Sequence, residues 1–200
     1  MTHKSKVILA SSSPRRAEIL RNAGFDFNVV LAHVDESRHP SERAPDYVRR
    51  LAEGKARTVA RQLAKGFADD STFIIGADTI VVIGNEILGK PSSAANAREM
   101  LRRLSGQTHE VLTGLSVLRG NSASRTAVEV TRVTFAALSK QEIEDYIATG
   151  EPFDKAGAYA IQGCGGKFIS RVEGCYFNVM GLPLARLYLL LCEIGAECPI

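Results

Sequence analysis

The chain has 200 residues, 45% of them hydrophobic, no tryptophan and a formal net charge of +3. That length allows one sizeable domain, or two lobes around one cleft. So small a charge, without clustered Lys/Arg and interleaved aromatics, argues against a nucleic-acid partner, and no apolar run is long enough to span a bilayer.

Residues 7–10 (Val7-Ile8-Leu9-Ala10) predict a short buried strand. Ser13 suits an N-cap and Pro14 the first helical position, so a helix is predicted over residues 14–23, stopped by Gly24. Residues 25–31 predict a second strand, and residues 33–44 are polar and irregular. A long helix is predicted over residues 45–65, with Val48, Leu51, Ala52, Ala56, Val59, Ala60 and Leu63 on one face. Residues 73–83 form an apolar, β-rich run that Gly84-Asn85 turns back into Glu86-Ile87-Leu88 as a hairpin. Ser92 or Ser93 caps a further helix that ends at Gly106. Residues 108–118 and 125–135 predict two long strands joined by the polar turn 120–124. Ser139 with Glu142 makes a capping box for a helix to Thr149. Residues 158–171 read as a Gly-rich hairpin around Gly163-Cys164-Gly165-Gly166, and a last helix covers residues 184–194, with Gly195 as its stop. The alternation of strands and helices, without repeats or linkers, predicts one compact α/β domain over residues 1–200. The polar start leads to no expectation of a secretory signal. Cysteines 164, 175, 192 and 198 form no C-x-x-C pair, and histidines 3, 33, 39 and 109 have no metal-site spacing. The expectation is free thiols in a reducing cytoplasm.

Four features carry chemistry. Arg15 and Arg16 fall in the first turn of the first helix, an end that already bears partial positive charge and unpaired N–H groups. An anion there, such as a phosphate chain, turns an unfavourable arrangement into a favourable one; the alternative is that both side chains swing into water. Asp78 lies inside the apolar run 73–83, where an unpaired carboxylate is costly. It is read either as a metal ligand or general base for water, or as a structural Asp satisfying local N–H groups at a strand break. Gly76 and Ala77 leave room there for something to approach the backbone. Lys55, Lys90 and Gln162 gain weight only together, as two cations and an amide able to read a base edge. Asp35 and Glu36 could offer oxygen to a hard metal ion such as Mg²⁺ or Mn²⁺. No Walker A, Rossmann, H-E-x-x-H or G-x-S-x-G pattern is present.

Several segments resemble those of the Maf nucleotide pyrophosphatases: Leu9-Ala10-Ser11-Ser12-Ser13-Pro14-Arg15-Arg16, Gly76-Ala77-Asp78-Thr79, Gly89-Lys90-Pro91, Leu104-Ser105-Gly106-Gln107-Thr108-His109, Asp154-Lys155-Ala156-Gly157-Ala158-Tyr159 and Gly181-Leu182-Pro183. They occur in the family's order over nearly the whole chain. The resemblance implies an elongated α/β fold of the Maf and inosine-triphosphatase kind, with a mixed sheet flanked by helices and two lobes around a central cleft. It implies cleavage of nucleoside triphosphates between the α- and β-phosphates, giving the monophosphate and pyrophosphate. By that resemblance Asp78 is the proton acceptor. Arg15, Thr79 and Gln162 fall at the positions linked to base choice, in the combination that goes with dTTP and UTP. Ser13, Arg16, Lys55 and Lys90 match phosphate-side positions, and Glu36, with Asp78, matches a ligand for Mg²⁺ or Mn²⁺. A homodimer and a cytoplasmic location are expected on the same ground. Two other readings it leaves open are a house-cleaning pyrophosphatase for modified nucleotides and a nucleotide-sensing regulator of septum formation. Gly54, inside the long helix and just ahead of Lys55, departs from a good helix former and weakens the helix by about 1 kcal/mol relative to Ala.

Overall fold

The computed structural model describes residues 6–63, 71–120 and 123–196. The first five residues, the last two of the predicted long helix, residues 121–122 of the polar turn and Cys198 lie outside them.

The described residues form strands β1 (Lys6–Ala10), β2 (Phe27–Val29), β3 (Thr72–Ile83), β4 (Glu86–Leu88), β5 (Thr108–Arg119), β6 (Ala123–Phe135) and β7 (Ile169–Glu173). The helices are α1 (Pro14–Asn22), α2 (Ala44–Leu63), α3 (Ala94–Leu104), α4 (Lys140–Ala148), α5 (Tyr176–Met180) and α6 (Leu184–Glu193). The strands make a mixed seven-stranded sheet in the order β2-β1-β3-β5-β6-β7, with β4 on β3. β1 runs parallel to both β2 and β3, pairing Leu9 with Val29 and with Ile75. Parallel strands carry helices on their faces and so read as continuous apolar runs. Ile8, Leu9 and Ala10 are accordingly almost wholly buried. The β3–β4 hairpin is antiparallel as predicted, and β6 pairs antiparallel with β7.

Local signals set the helix ends. The Ser13 hydroxyl accepts the Arg16 N–H at 3.5 Å, and Pro14 opens α1. Ser93, the second of the two candidate caps, accepts from Asn96 N–H. Ser139 and Glu142 form both halves of the capping box. The predicted face of α2 is buried through Val48, Leu51, Ala52, Ala56, Val59 and Ala60.

The chain divides into two compact units. The first comprises Met1–Asp78, Thr113–Glu129 and Gly181–Ile200, and the second Thr79–Leu112 and Val130–Met180. In the first, Ile8, Ala10 and Ile74 pack with Ala56, Val59 and Ala60 of α2. An ideal Cβ placed on Gly76 would lie 2.2 Å from Ala52 O, and one on Gly114 2.1 Å from Val48 O. The backbone of α2 therefore lies flush on β3 and β5 at two glycines that only glycine can fill. The room predicted at Gly76 serves this helix. In the second unit, Phe135, Tyr159 and Phe168 form an aromatic core with Tyr146 and His109. His109 Nε2 lies 2.8 Å from the Tyr159 hydroxyl, and burial lowers its pKa to about 4.

Three expectations need correction. β2 is only Phe27–Val29, shorter than predicted. Residues 158–171 are not a hairpin: 3-10 turns at Ala156–Ala158 and Cys164–Phe168 lead into β7, which pairs with β6 instead. Glycines gave that segment its hairpin look, yet the positive φ of Gly163 serves a tight turn. Of the cysteines, Cys164 and Cys175 are free as expected, but Cys192 is disulfide-bonded, which the absence of C-x-x-C spacing could not reveal. No described helix is long and apolar enough to cross a membrane.

Gly54 is helical, and a Cβ added there would meet only Val34 Cγ1, at an ordinary 3.6 Å. Gly54→Ala is therefore expected to stabilise the protein by about 0.5–1 kcal/mol. For a chain of this size that raises Tm by roughly 1–4 °C. A thermal melt showing no rise or a fall would mean that α2 needs glycine there for a reason other than space.

Candidate functional site

The first unit brings three of the predicted residues together. Lys55, from the middle of α2, places Nζ 2.6 Å from Asp78 Oδ1 and 2.8 Å from Glu36 Oε1. Asp78 sits in an unbroken β3, not at a strand break, and its partner is the lysine. The side chains of Lys55 and Asp78 are only 12% and 14% exposed, against 61% for Glu36. Water therefore screens the Lys55–Asp78 pair far less than a surface pair.

Glu36 reaches this point because its loop is strapped to α2. Tyr47 donates its hydroxyl to Glu36 O at 2.7 Å. Arg50 grips the loop with one guanidinium, donating to Ser37 O at 2.9 Å and to both oxygens of Glu42 at 2.7 and 2.9 Å. The hydrogen bonds from Arg50, against the cost of burial and with help from His39 N–H, hold the Glu42 carboxyl down to about 2. The clasp is thus intact at neutral pH. Asp35 is spent locally: its Oδ1 accepts Ser37 N–H at 2.8 Å. Of the two adjacent acids, Glu36 is the one that faces Lys55.

The β1–α1 turn supplies the positive side. Ser11 Oγ accepts from Ser13 N–H at 3.2 Å and from Arg16 Nη1 at 3.0 Å. Arg16 Nε donates to Gly181 O at 2.7 Å, so this arginine is buried and bound into the protein. Burial lowers its pKa, and the charges of Asp78 and Glu36 oppose that shift. The first turn of α1 has no acidic residue, and Arg15 is half-buried beside Arg16.

Carboxylate oxygens are the donors that a hard divalent cation such as Mg²⁺ or Mn²⁺ takes. Two carboxylates face one ammonium, and among the described residues there is no group of three or more His, Cys, Asp or Glu that could hold a metal ion. Glu36 and Asp78 alone would hold such an ion only in part.

The model of the family described as Maf-like protein matches residues 6–194. The chain belongs to the Maf family. Its relatives include proteins named dTTP/UTP pyrophosphatase from Citrifermentans bemidjiense, 50% identical over 96% of this chain and 97% of that protein, and from Hahella chejuensis, 48% identical over 97% and 94%. One from Clostridium botulinum is 46% identical over 96% of this chain and 98% of its own length. A solved Ham1 protein from Coxiella burnetii is similar to part of the fold, at 16% identity and a TM-score of 0.44 over 66% of this chain and 74% of that one.

The other predicted residues of this Maf chain belong to the second unit. Lys90 and Gln162 are exposed, and Thr79 is half-buried next to Asp78 on β3. Gly157 N–H donates to Gly89 O at 3.0 Å, which ties the Maf segment Gly89-Lys90-Pro91 to Lys155-Ala156-Gly157. Sequence reasoning missed Tyr47 and Arg50, and gave no role to Ser11 and Gly181, which it quoted only within family-like segments. Tyr47 and Arg50 share one side of α2, but nothing local marks their partners, which lie in a loop of irregular backbone.

Proposed function

We propose that the protein is a nucleoside triphosphate pyrophosphatase that hydrolyses dTTP and UTP between the α- and β-phosphates. The observation that carries the reading is the Lys55 ammonium held between Asp78 and Glu36, 2.6 and 2.8 Å away. It gains support from membership of a family whose relatives bear that name.

In this reading Asp78 is the general base. Lys55 fixes Oδ1, and Oδ2 takes a proton from the attacking water. The water oxygen bonds to the α-phosphorus, the bond to the bridging oxygen breaks, and pyrophosphate leaves with the electron pair. Glu36 and Asp78 would be the residues to hold a divalent cation, which would supply neutralisation of phosphate charge. Ser13, Arg15 and Lys90 contact the phosphate side. Arg16, buried behind the turn, adds fixed positive charge to it. Arg15, Thr79 and Gln162 select the base, Gln162 by offering one acceptor and two donors to the O4 and N3–H edge of uracil or thymine. A cytoplasmic location follows from the nucleotides proposed as substrates.

The test is product analysis with UTP, dTTP, CTP and GTP in the presence of Mg²⁺ or Mn²⁺. UMP and dTMP should appear with equimolar pyrophosphate, and CTP and GTP should react more slowly. Orthophosphate with the nucleoside diphosphate would contradict the proposed bond.

A further inference from the structure

Gln162 is exposed, yet the backbone on either side of it is held firmly. Two residues upstream, Ala160 N–H donates to the Tyr146 hydroxyl oxygen at 3.1 Å. Downstream, Cys164 N–H donates to Glu151 Oε2 at 2.9 Å and Gly165 N–H to Glu151 Oε1 at 3.0 Å. The Tyr146 hydroxyl in turn donates to Glu151 Oε1 at 2.8 Å, so the three anchor points share one network. Tyr146 is 1% exposed and packed edge-on against Phe168, which roots the network in the aromatic core.

The turn is shaped around these acceptors. Gly163 has φ 104°, and a Cβ there would lie 2.4 Å from Glu151 Oε2. A Cβ on Gly165 would lie 2.6 Å from the Tyr146 oxygen and 2.7 Å from Ala160 O. The glycines let the chain close on one carboxylate. A carboxylate is also the right group, since two N–H donors and one O–H donor converge on it and it has only acceptors. The two backbone N–H bonds and the Tyr146 bond overcome burial and keep the Glu151 carboxyl below its usual range.

We infer that Glu151 is a positioning residue for base selection, which it controls by fixing, with Tyr146, the two ends of the short turn that carries Gln162. The inference rests on the reading of Gln162 as the residue that meets the base. An amide discriminates only if its orientation is set before the base arrives; a loose turn lets it satisfy any base edge. Glu151 itself touches no substrate in this account.

The experiment measures kcat/KM for UTP, dTTP, CTP and GTP on the wild type, Glu151→Gln, Tyr146→Phe, Gln162→Ala and the double variant Glu151→Gln/Gln162→Ala. Glu151→Gln keeps the size of the side chain but puts an NH₂ where one donor now points. It is expected to shrink the preference for UTP and dTTP over CTP and GTP on the order of tenfold, with the rates for CTP and GTP little changed. Tyr146→Phe should move the preference in the same direction. In the double variant the preference should be no lower than in Gln162→Ala alone, because both changes act through one amide. A uniform fall for all four nucleotides, or losses of preference that add, would make Glu151 a stability residue and overturn the inference. A wild type that prefers UTP and dTTP while Glu151→Gln keeps that preference overturns the inference alone. A wild type that turns over none of the four overturns the functional reading and this inference with it.

Discussion

Asp78→Asn is expected to lower kcat by about 10²–10⁴-fold, the usual contribution of a general base. The substitution is chosen for its shape. Asn can still accept from Lys55 Nζ through its side-chain oxygen, so the contact now 2.6 Å long survives and α2 stays in place. What is lost is an oxygen able to take a proton from water, together with one negative charge beside Glu36 and Lys55. Nucleotide binding, measured by calorimetry without added divalent metal, should fall much less than kcat, because in the proposed reading Ser13, Arg15, Arg16, Lys55 and Lys90 carry the phosphate side. Near-normal turnover would reduce Asp78 to an ion-pair partner that holds Lys55.

Gly114→Ala should destabilise the first unit strongly. The new Cβ would lie 2.1 Å from Val48 O and 2.8 Å from Arg49 N, both backbone atoms of α2 that no rotamer change can move. Overpacking of a close-packed site costs typically about 1–3 kcal/mol, and a backbone neighbour puts this case at the upper end or beyond. Tm should fall by roughly 2–4 °C for each kcal/mol. The second consequence is catalytic. Relief of the clash requires α2 to lift from β5, and α2 carries Lys55. Displacement of a positioning group by about 1 Å can cost on the order of 10²-fold in rate. The variant should therefore lose kcat/KM even when assayed well below its Tm. An unchanged Tm would mean that α2 does not rest on Gly114.

The site residues differ in how readable they are from sequence, and the difference has a physical cause. Asp78 stood out because a carboxylate inside the apolar run 73–83 needs a partner, and its partner, Lys55, was already among the candidate cations. The caps at Ser13, Ser93 and Ser139 act within four residues, so their signals are local and the helices start where predicted. The strap made by Tyr47 and Arg50 could not be found that way. Two of its acceptors, Glu36 O and Ser37 O, are backbone carbonyls of a loop, which any sequence offers equally. The same holds for Arg16. Its place in the first turn was predictable, but its bond to Gly181 O spans nearly the whole chain and has no sequence signature. The segment around Gln162 failed for a different reason. Its glycines fit a hairpin as well as a clasp, and only the position of Glu151 decides between them.

The central claim is that water attacks the α-phosphorus and pyrophosphate departs. Hydrolysis of UTP in ¹⁸O-labelled water, with mass analysis of both products, tests it most directly. The account predicts one ¹⁸O atom in UMP and none in the pyrophosphate. Label in the pyrophosphate, with UMP unlabelled, would place the attack on the β-phosphorus and contradict the role assigned to Asp78.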